Sequence, residues 1–333
     1  MANRKQRNKK EKRTRVVNKR ARQTTSIKAA QARSSALFGY YFVAVIDVLG
    51  QRRALQEFRG LPSSQEEMNH FIRAAKQTFG VVEGIRESFR GFYKTYGDSK
   101  RVIKHELTPE QERMFRQLRR CDKLIFHGFS DTFFTLVPLG SETNLETAVA
   151  LNGVVAGLKA CSVTMLHALA AGHALRGGIE VGLGAPLKDG DVYGPAISEA
   201  HYLESKIAQS PRIVIGNELV EYLGDHANEE GQAPADVYIK GMANHCLEFV
   251  SDDGDCKILD YMGEGVRRMI GDDNQLLDDM RNDLIPKAGE FLNETKDRFE
   301  ALDDEKLAER YQRAISYYSS RQEIWNGKCE KEA

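Results

Sequence analysis

The run Tyr41–Gly50, YFVAVIDVLG, constrains the fold more than any other stretch of this chain. Five of its first six residues are β-branched or aromatic, which favours a strand. An unbroken apolar run of this length fits a strand buried on both faces. The run ends on a carboxylate, Asp47, and then Val48, Leu49 and Gly50. A charge at the tip of a buried strand needs a partner. A hard cation is one, because Asp supplies oxygen ligands, and capping of the next helix is the other. Gly50 allows a close backbone turn whose N–H groups suit a phosphate.

At 333 residues the chain can bury a full core and form one large or two smaller domains. Net charge is zero but uneven: residues 1–33 hold thirteen Lys/Arg and one acid, Glu11, leaving a net of −12 on 34–333. Segment 1–35 is too polar to offset its ordering entropy, so a mobile arm is expected. Such an arm binds nucleic acid or another polyanion, or serves as a solubilising tail. Five cysteines (Cys121, Cys161, Cys246, Cys256 and Cys329) lie without CxxC or zinc spacing, as reduced thiols of a cytoplasmic protein do. No secretory leader is expected, since the first apolar run begins at Ala36. The longest apolar stretch, 145–171, contains Asn152, Lys159 and His167 and reads as a core helix, not a membrane span.

Along the chain, 51–88 read as helix interrupted at 62–64, and 89–107 as irregular. Thr108-Pro109-Glu110 starts a short helix that ends near Arg120. Residues 123–138 form a hairpin around Gly128–Asp131. A long helix covers 143–170, a strand 175–184, a turn 188–191, a helix within 192–207 and a strand 212–216. Segments 238–241 and 246–250 read as strand pieces. Residues 264–331 are charged and amphipathic, one or two helices packing on the body or on a partner. The organisation is an arm 1–35, a body 36–262 and a helical extension 263–333. The element order gives an α+β class with a split βαβ, ferredoxin-like arrangement. Asp47 and Asp131 then stand at neighbouring strand ends. Two carboxylates so placed can hold two divalent cations about 3.5–4 Å apart, a clamp for phosphoryl transfer.

Over residues 38–220 the chain resembles the class III nucleotidyl cyclase homology domain. The carrying segments are Ile46-Asp47-Val48-Leu49-Gly50, Ser130-Asp131, Arg176-Gly177-Gly178-Ile179-Glu180 and Asp191-Val192-Tyr193-Gly194-Pro195-Ala196-Ile197. The resemblance implies that Asp47, the Val48 carbonyl and Asp131 bind two Mg²⁺ or Mn²⁺. It implies a palm-like frame and a homodimer whose active site is shared between subunits. By the resemblance, Leu49 and Gly50 form the phosphate loop, and Arg52 and Arg53 just past it are candidates for triphosphate contact in place of an Arg that the family has and this chain lacks. Arg176 is a further candidate there, or else a strand-end salt bridge.

Departures from the pattern bear on the base. Ser198 and Tyr202 stand where the family has Asn and, four residues on, Arg. They are the expected catalytic positions on that helix. His127 replaces the adenine-selecting Lys, and Asp191 is kept. The chain is therefore most similar to the pyrimidine cyclases of bacterial Pycsar anti-phage systems, with His127, Asp191 and Tyr193 around a smaller base. UTP is the expected substrate and CTP the alternative, since Asp191 can accept from uracil N3–H or the cytosine amine. The cyclic product would reach a downstream effector. A nucleotide-binding pseudo-cyclase, and nucleic-acid binding through residues 1–33, are the competing readings.

Overall fold

Strand β1 (Gly39–Val48) lies at the centre of the sheet, and Phe42 through Ile46 are all buried. A computed structural model describes residues 38–51, 60–97, 108, 113, 116–118, 120, 124–140, 143–187, 192–271 and 274–326. The arm 1–35, Arg52, Arg53 and the 188–191 turn with Asp191 lie outside the described residues.

Helices α1 (Gln65–Gln77) and α2 (Phe79–Gly97) follow β1, then the hairpin β2 (Ile125–Phe129) and β3 (Thr132–Pro138). Helix α3 (Asn144–Ala170) leads to β4 (Leu175–Pro186), β5 (Val192–Tyr193) and α4 (Pro195–Tyr202), which ends in a π-helical turn, Leu203–Ile207. Next come β6 (Ile213–Ile215), α5 (Asn217–Ala227), α6 (Pro234–Leu247), β7 (Val250–Asp252) and β8 (Lys257–Leu259). Helices α7 (Glu264–Ile270), α8 (Asn274–Asp279), α9 (Ile285–Glu300) and α10 (Glu305–Asn326) complete the chain. The strand order is β2-β3-β1-β4-β6-β8-β7, with β5 paired to the far end of β4. All neighbours are antiparallel except β4 and β6. The fold is mixed, with helices segregated against a mostly antiparallel sheet, which agrees with an α+β class.

The two faces of β1 do different work. Phe42, Ala44, Ile46 and Val48 enter one large core with α2, α3, α5 and α6. Tyr41, Val43 and Val45 face the other way, onto Ala196, Ile197 and Ala200 of α4. Asp47 follows that second set. A one-residue slip would turn Asp47 into the large core, where each buried apolar side chain contributes about 1.5–3 kcal/mol, so the alternation fixes the register. Helix α4 sits close because β4 carries glycine beneath it. A Cβ at Gly178 would meet the Ala200 carbonyl oxygen and come within 2.6 Å of the Leu203 Cβ.

Helix α3 is apolar all round, starts on a Thr143/Glu146 capping box, and packs against α2, α6 and α9. Among the described helices it is the one long and apolar enough to cross a membrane, and its apolar window is 89% buried. Two segments differ from expectation. Helix α2 continues to Gly97, because Phe89 and Tyr93 extend the buried stripe of Val82 and Ile85. Residues 238–241 and 246–247, expected in strand pieces, are helical, and the strand begins only at Val250. Ile239, Met242, Ala243 and Cys246 are buried at spacings of three and four behind Pro234 at the first turn, and that periodicity outweighs the β-favouring side chains.

The C-terminal helices belong to the same core as the sheet: Ala288, Leu292, Phe299 and Trp325 join it. Helix α10 is tied to the loop after β8. Trp325 donates its indole N–H to the Met262 carbonyl (2.8 Å), and Tyr317 and Arg321 both donate to Asp260 at 2.8 Å.

Candidate functional site

The end of β1 meets the turn of the β2–β3 hairpin and the start of β4. The Val48 N–H donates to the Asp131 carbonyl (3.1 Å), and the Leu49 N–H to the Ala174 carbonyl (2.9 Å). Gly50 then turns the chain with φ +85°, a conformation that favours glycine. These strand ends open into a cleft of about 990 Å³ lined by Asp47, Val48, Leu49, Gly50, Asp131 and Thr132. Five of the positions expected at the site from sequence (Asp47, Val48, Leu49, Gly50 and Asp131) thus lie together.

Asp47 is not a free carboxylate. Its Oδ1 accepts from the Thr132 hydroxyl (2.8 Å), and Arg176 reaches Oδ2 through Nη2 at 3.1 Å and Nε at 3.2 Å. Arg176 has a second acid, Glu204 on the π-helical turn, with Nε 2.7 Å from Oε1. The Nε proton is aligned on Asp47, so the Glu204 contact is a charge contact; Oε1 has no hydrogen-bond partner. His201 approaches the other Glu204 oxygen at 3.1 Å. Burial pushes the Glu204 carboxyl above its ordinary value; Arg176 and His201 oppose the rise and Asp47 adds to it. The salt-bridge reading of Arg176 is therefore the one observed.

The turn that carries Asp131 has its own support. Ser130 takes φ +54°, and Arg86 of α2 donates to the Ser130 carbonyl at 2.6 Å and the Thr132 carbonyl at 2.9 Å. The guanidinium lies under Gly128, where a Cβ would come within 2.6 Å of it. Arg86→Ala should remove both charge-assisted bonds at a cost of about 1–3 kcal/mol. Chemical denaturation would measure it as an earlier midpoint at unchanged slope. A midpoint within error of the parent would show that the turn holds without this clamp.

The other expected positions fall elsewhere. His127 is half-buried on β2, in register with Phe134, on the sheet face of Asp47 but outside the cleft, and its Nε2 has no partner. Tyr193 is exposed on β5 beside Ala185, nine residues along β4 from the Arg176 that pairs with Asp47, which is roughly 30 Å. Ser198 is exposed on α4 and donates back to the Gly194 carbonyl (3.3 Å). Tyr202 is half-exposed on a separate cleft of about 670 Å³. Within one chain, the α4 region presents His201 and Glu204 to Asp47 rather than Ser198 and Tyr202. Arg52, Arg53 and Asp191 lie outside the described residues.

Sequence reading missed the second wall of the cleft. Helices α9 and α10 supply Phe291, Arg298, Phe299, Arg310 and Tyr311. Thr132 and Arg86 were missed too; adjacency to Asp131 was a signal for the first, and nothing local marked the second. No protein-family model, curated protein or solved structure matches the chain.

The arrangement suits hard cations. Asp47 and Asp131 offer oxygen donors at adjoining strand ends, with the Val48 carbonyl between them in sequence. Arg176, which neutralises Asp47, also has Glu204 as a partner. Among the described residues no cluster of three or more His, Cys, Asp or Glu side chains gathers; the oxygen donors this wall offers are the Asp47 and Asp131 carboxylates and backbone carbonyls.

Proposed function

We propose that the protein is a pyrimidine nucleotide cyclase, converting UTP to 3′,5′-cyclic UMP and diphosphate. The observation that carries this reading is the meeting of Asp47 and Asp131 at adjacent strand ends, beside the Gly50 turn, in one open cleft. The antiparallel order β2-β3-β1-β4, with helices in both crossovers, supports a ferredoxin-like, palm-like cyclase frame. Asp47, Asp131 and the Val48 carbonyl would hold two Mg²⁺ or Mn²⁺. Bound there, the ions supply charge stabilisation to the attacking ribose 3′-oxygen and to the leaving diphosphate. The chain itself contributes the phosphate-facing turn Leu49–Gly50, and Thr132 and Arg86 hold the two acids in register. In this reading Tyr193, Ser198 and Tyr202, on the surface of one chain, act across a homodimer, and the cyclic product signals to an effector in cytoplasmic anti-phage defence.

One observation favours a second reading, nucleotide binding without turnover: Arg176 already occupies the Asp47 carboxylate. The test is incubation with ATP, GTP, CTP and UTP separately, each with Mn²⁺, and identification of products by mass. Cyclic UMP is expected. Cyclic CMP alone would move the substrate to CTP, and nucleotide binding with no diphosphate released from any of the four would select the second reading.

A further inference from the structure

The C-terminal helices are built into the cleft. Phe291 of α9 packs beside Gly172, its Cδ2 within 3.9 Å of where a Cβ would stand. Two residues further, Ala174 accepts the Leu49 N–H. Phe291, Gly172, Ala174 and Leu49 thus line one cleft, with the helix bordering the loop that pairs with the end of β1. From that position α9 and α10 each turn an arginine to the cleft, Arg298 and Arg310. Neither has a carboxylate within ion-pair distance among the described residues, whereas the third arginine of the cleft, Arg176, is held by two acids. Arg298 stacks near Phe299, with 5.3 Å from guanidinium carbon to ring centroid, and its charge is felt by Tyr311. The cleft thus has an acidic wall on the strand ends and a basic, aromatic wall on the helices. An anion carrying cations at one end and uncompensated negative charge at the other fits between them.

We infer that Arg298 and Arg310 bind the polyphosphate end of the substrate, so that the C-terminal helices form half of the binding site. Guanidinium groups match phosphate oxygens in charge and in fork geometry. The leaving diphosphate of a nucleoside triphosphate is the part of the substrate that gains charge during transfer, and two unpaired guanidinium groups stabilise it. This supplies cationic groups that Ser198 and Tyr202 cannot. The inference rests on the cation-assisted reading of Asp47 and Asp131, and the experiment separates the two.

The probe is inorganic tripolyphosphate with Mn²⁺, titrated by calorimetry against the full chain, Arg298→Gln, Arg310→Gln and the control Arg313→Gln. Arg313 sits on the same helix, exposed and paired with Glu309 at 3.7 Å. Each cleft variant should weaken binding about tenfold or more, the loss typical of one charge-assisted contact, and the control should match the parent. Parent-like affinity in both cleft variants, or no binding by the parent at millimolar probe, would overturn the inference. The probe has no base and undergoes no cyclisation. Arginine-dependent binding without any cyclic product would therefore defeat the cyclase reading and leave this one standing. Cyclic product with arginine-independent binding would do the reverse.

Discussion

Asp47→Asn is expected to lower cyclic nucleotide formation by about 10²–10³-fold or more while leaving the fold in place. Removal of one preorganised electrostatic group from an active site has that size of effect, and a cation ligand acts on both reacting oxygens. Asn keeps the shape of Asp and can still accept from Thr132, but it loses the charge that would draw a cation. The structure explains why the fold should survive. Arg176, the charge left behind, has Glu204 at 2.7 Å as a second partner, so no cation is stranded in the protein. The check is a turnover assay at saturating Mn²⁺ beside a thermal melt of the same sample. Turnover within a few fold of the parent would sink the assignment of Asp47 to a cation. A collapsed melt would mean that Asp47 acts mainly as the anchor of Arg176.

The second large effect concerns stability. Trp325→Ala should cost about 3–5 kcal/mol, the range for truncating a large buried aromatic side chain, and lower the melting temperature by roughly 5–10 °C in a chain of this size. Trp325 is 1% exposed near the end of α10, and its indole N–H is satisfied by the Met262 carbonyl. Its loss leaves both a cavity and an unpaired buried acceptor. Trp325→Phe keeps most of the ring and loses the hydrogen bond, so it should cost much less, about 1–2 kcal/mol. Denaturant unfolding of the three proteins would give both numbers. Equal midpoints for Trp325→Ala and the parent would mean that α10 is not part of the cooperative unit. Because Arg310 and Tyr311 ride on the same helix, the alanine variant should also weaken tripolyphosphate binding.

Much of the centre of the molecule was legible from local pattern. The apolar run 41–48, the hairpin 125–138, the long helix from 144 and the strand from 175 each carry a signal contained in a few neighbouring residues. Where two patterns competed within a segment, local reading failed. Residues 238–247 open on strand-favouring Tyr238 and Ile239, yet the buried positions follow a helical period. That choice depends on which face has something to pack against.

The sequence by itself determined that a carboxylate would end a buried strand, because the unbroken apolar run from Tyr41 stops at Asp47 and the chain turns at Gly50. It also placed Asp131 at the tip of a hairpin. The split βαβ element order already set the two tips side by side. Tertiary structure alone decided that Arg176 and Thr132 hold Asp47, and that Arg86 clamps the turn from 44 residues away. It alone decided that the two helices spanning Ile285–Glu300 and Glu305–Asn326, far from Asp47 in the sequence, supply the far wall of its cleft. The reason is physical: strand and turn formation are set by interactions within a few residues, whereas charge pairing and cleft formation depend on which surfaces the shared core brings together.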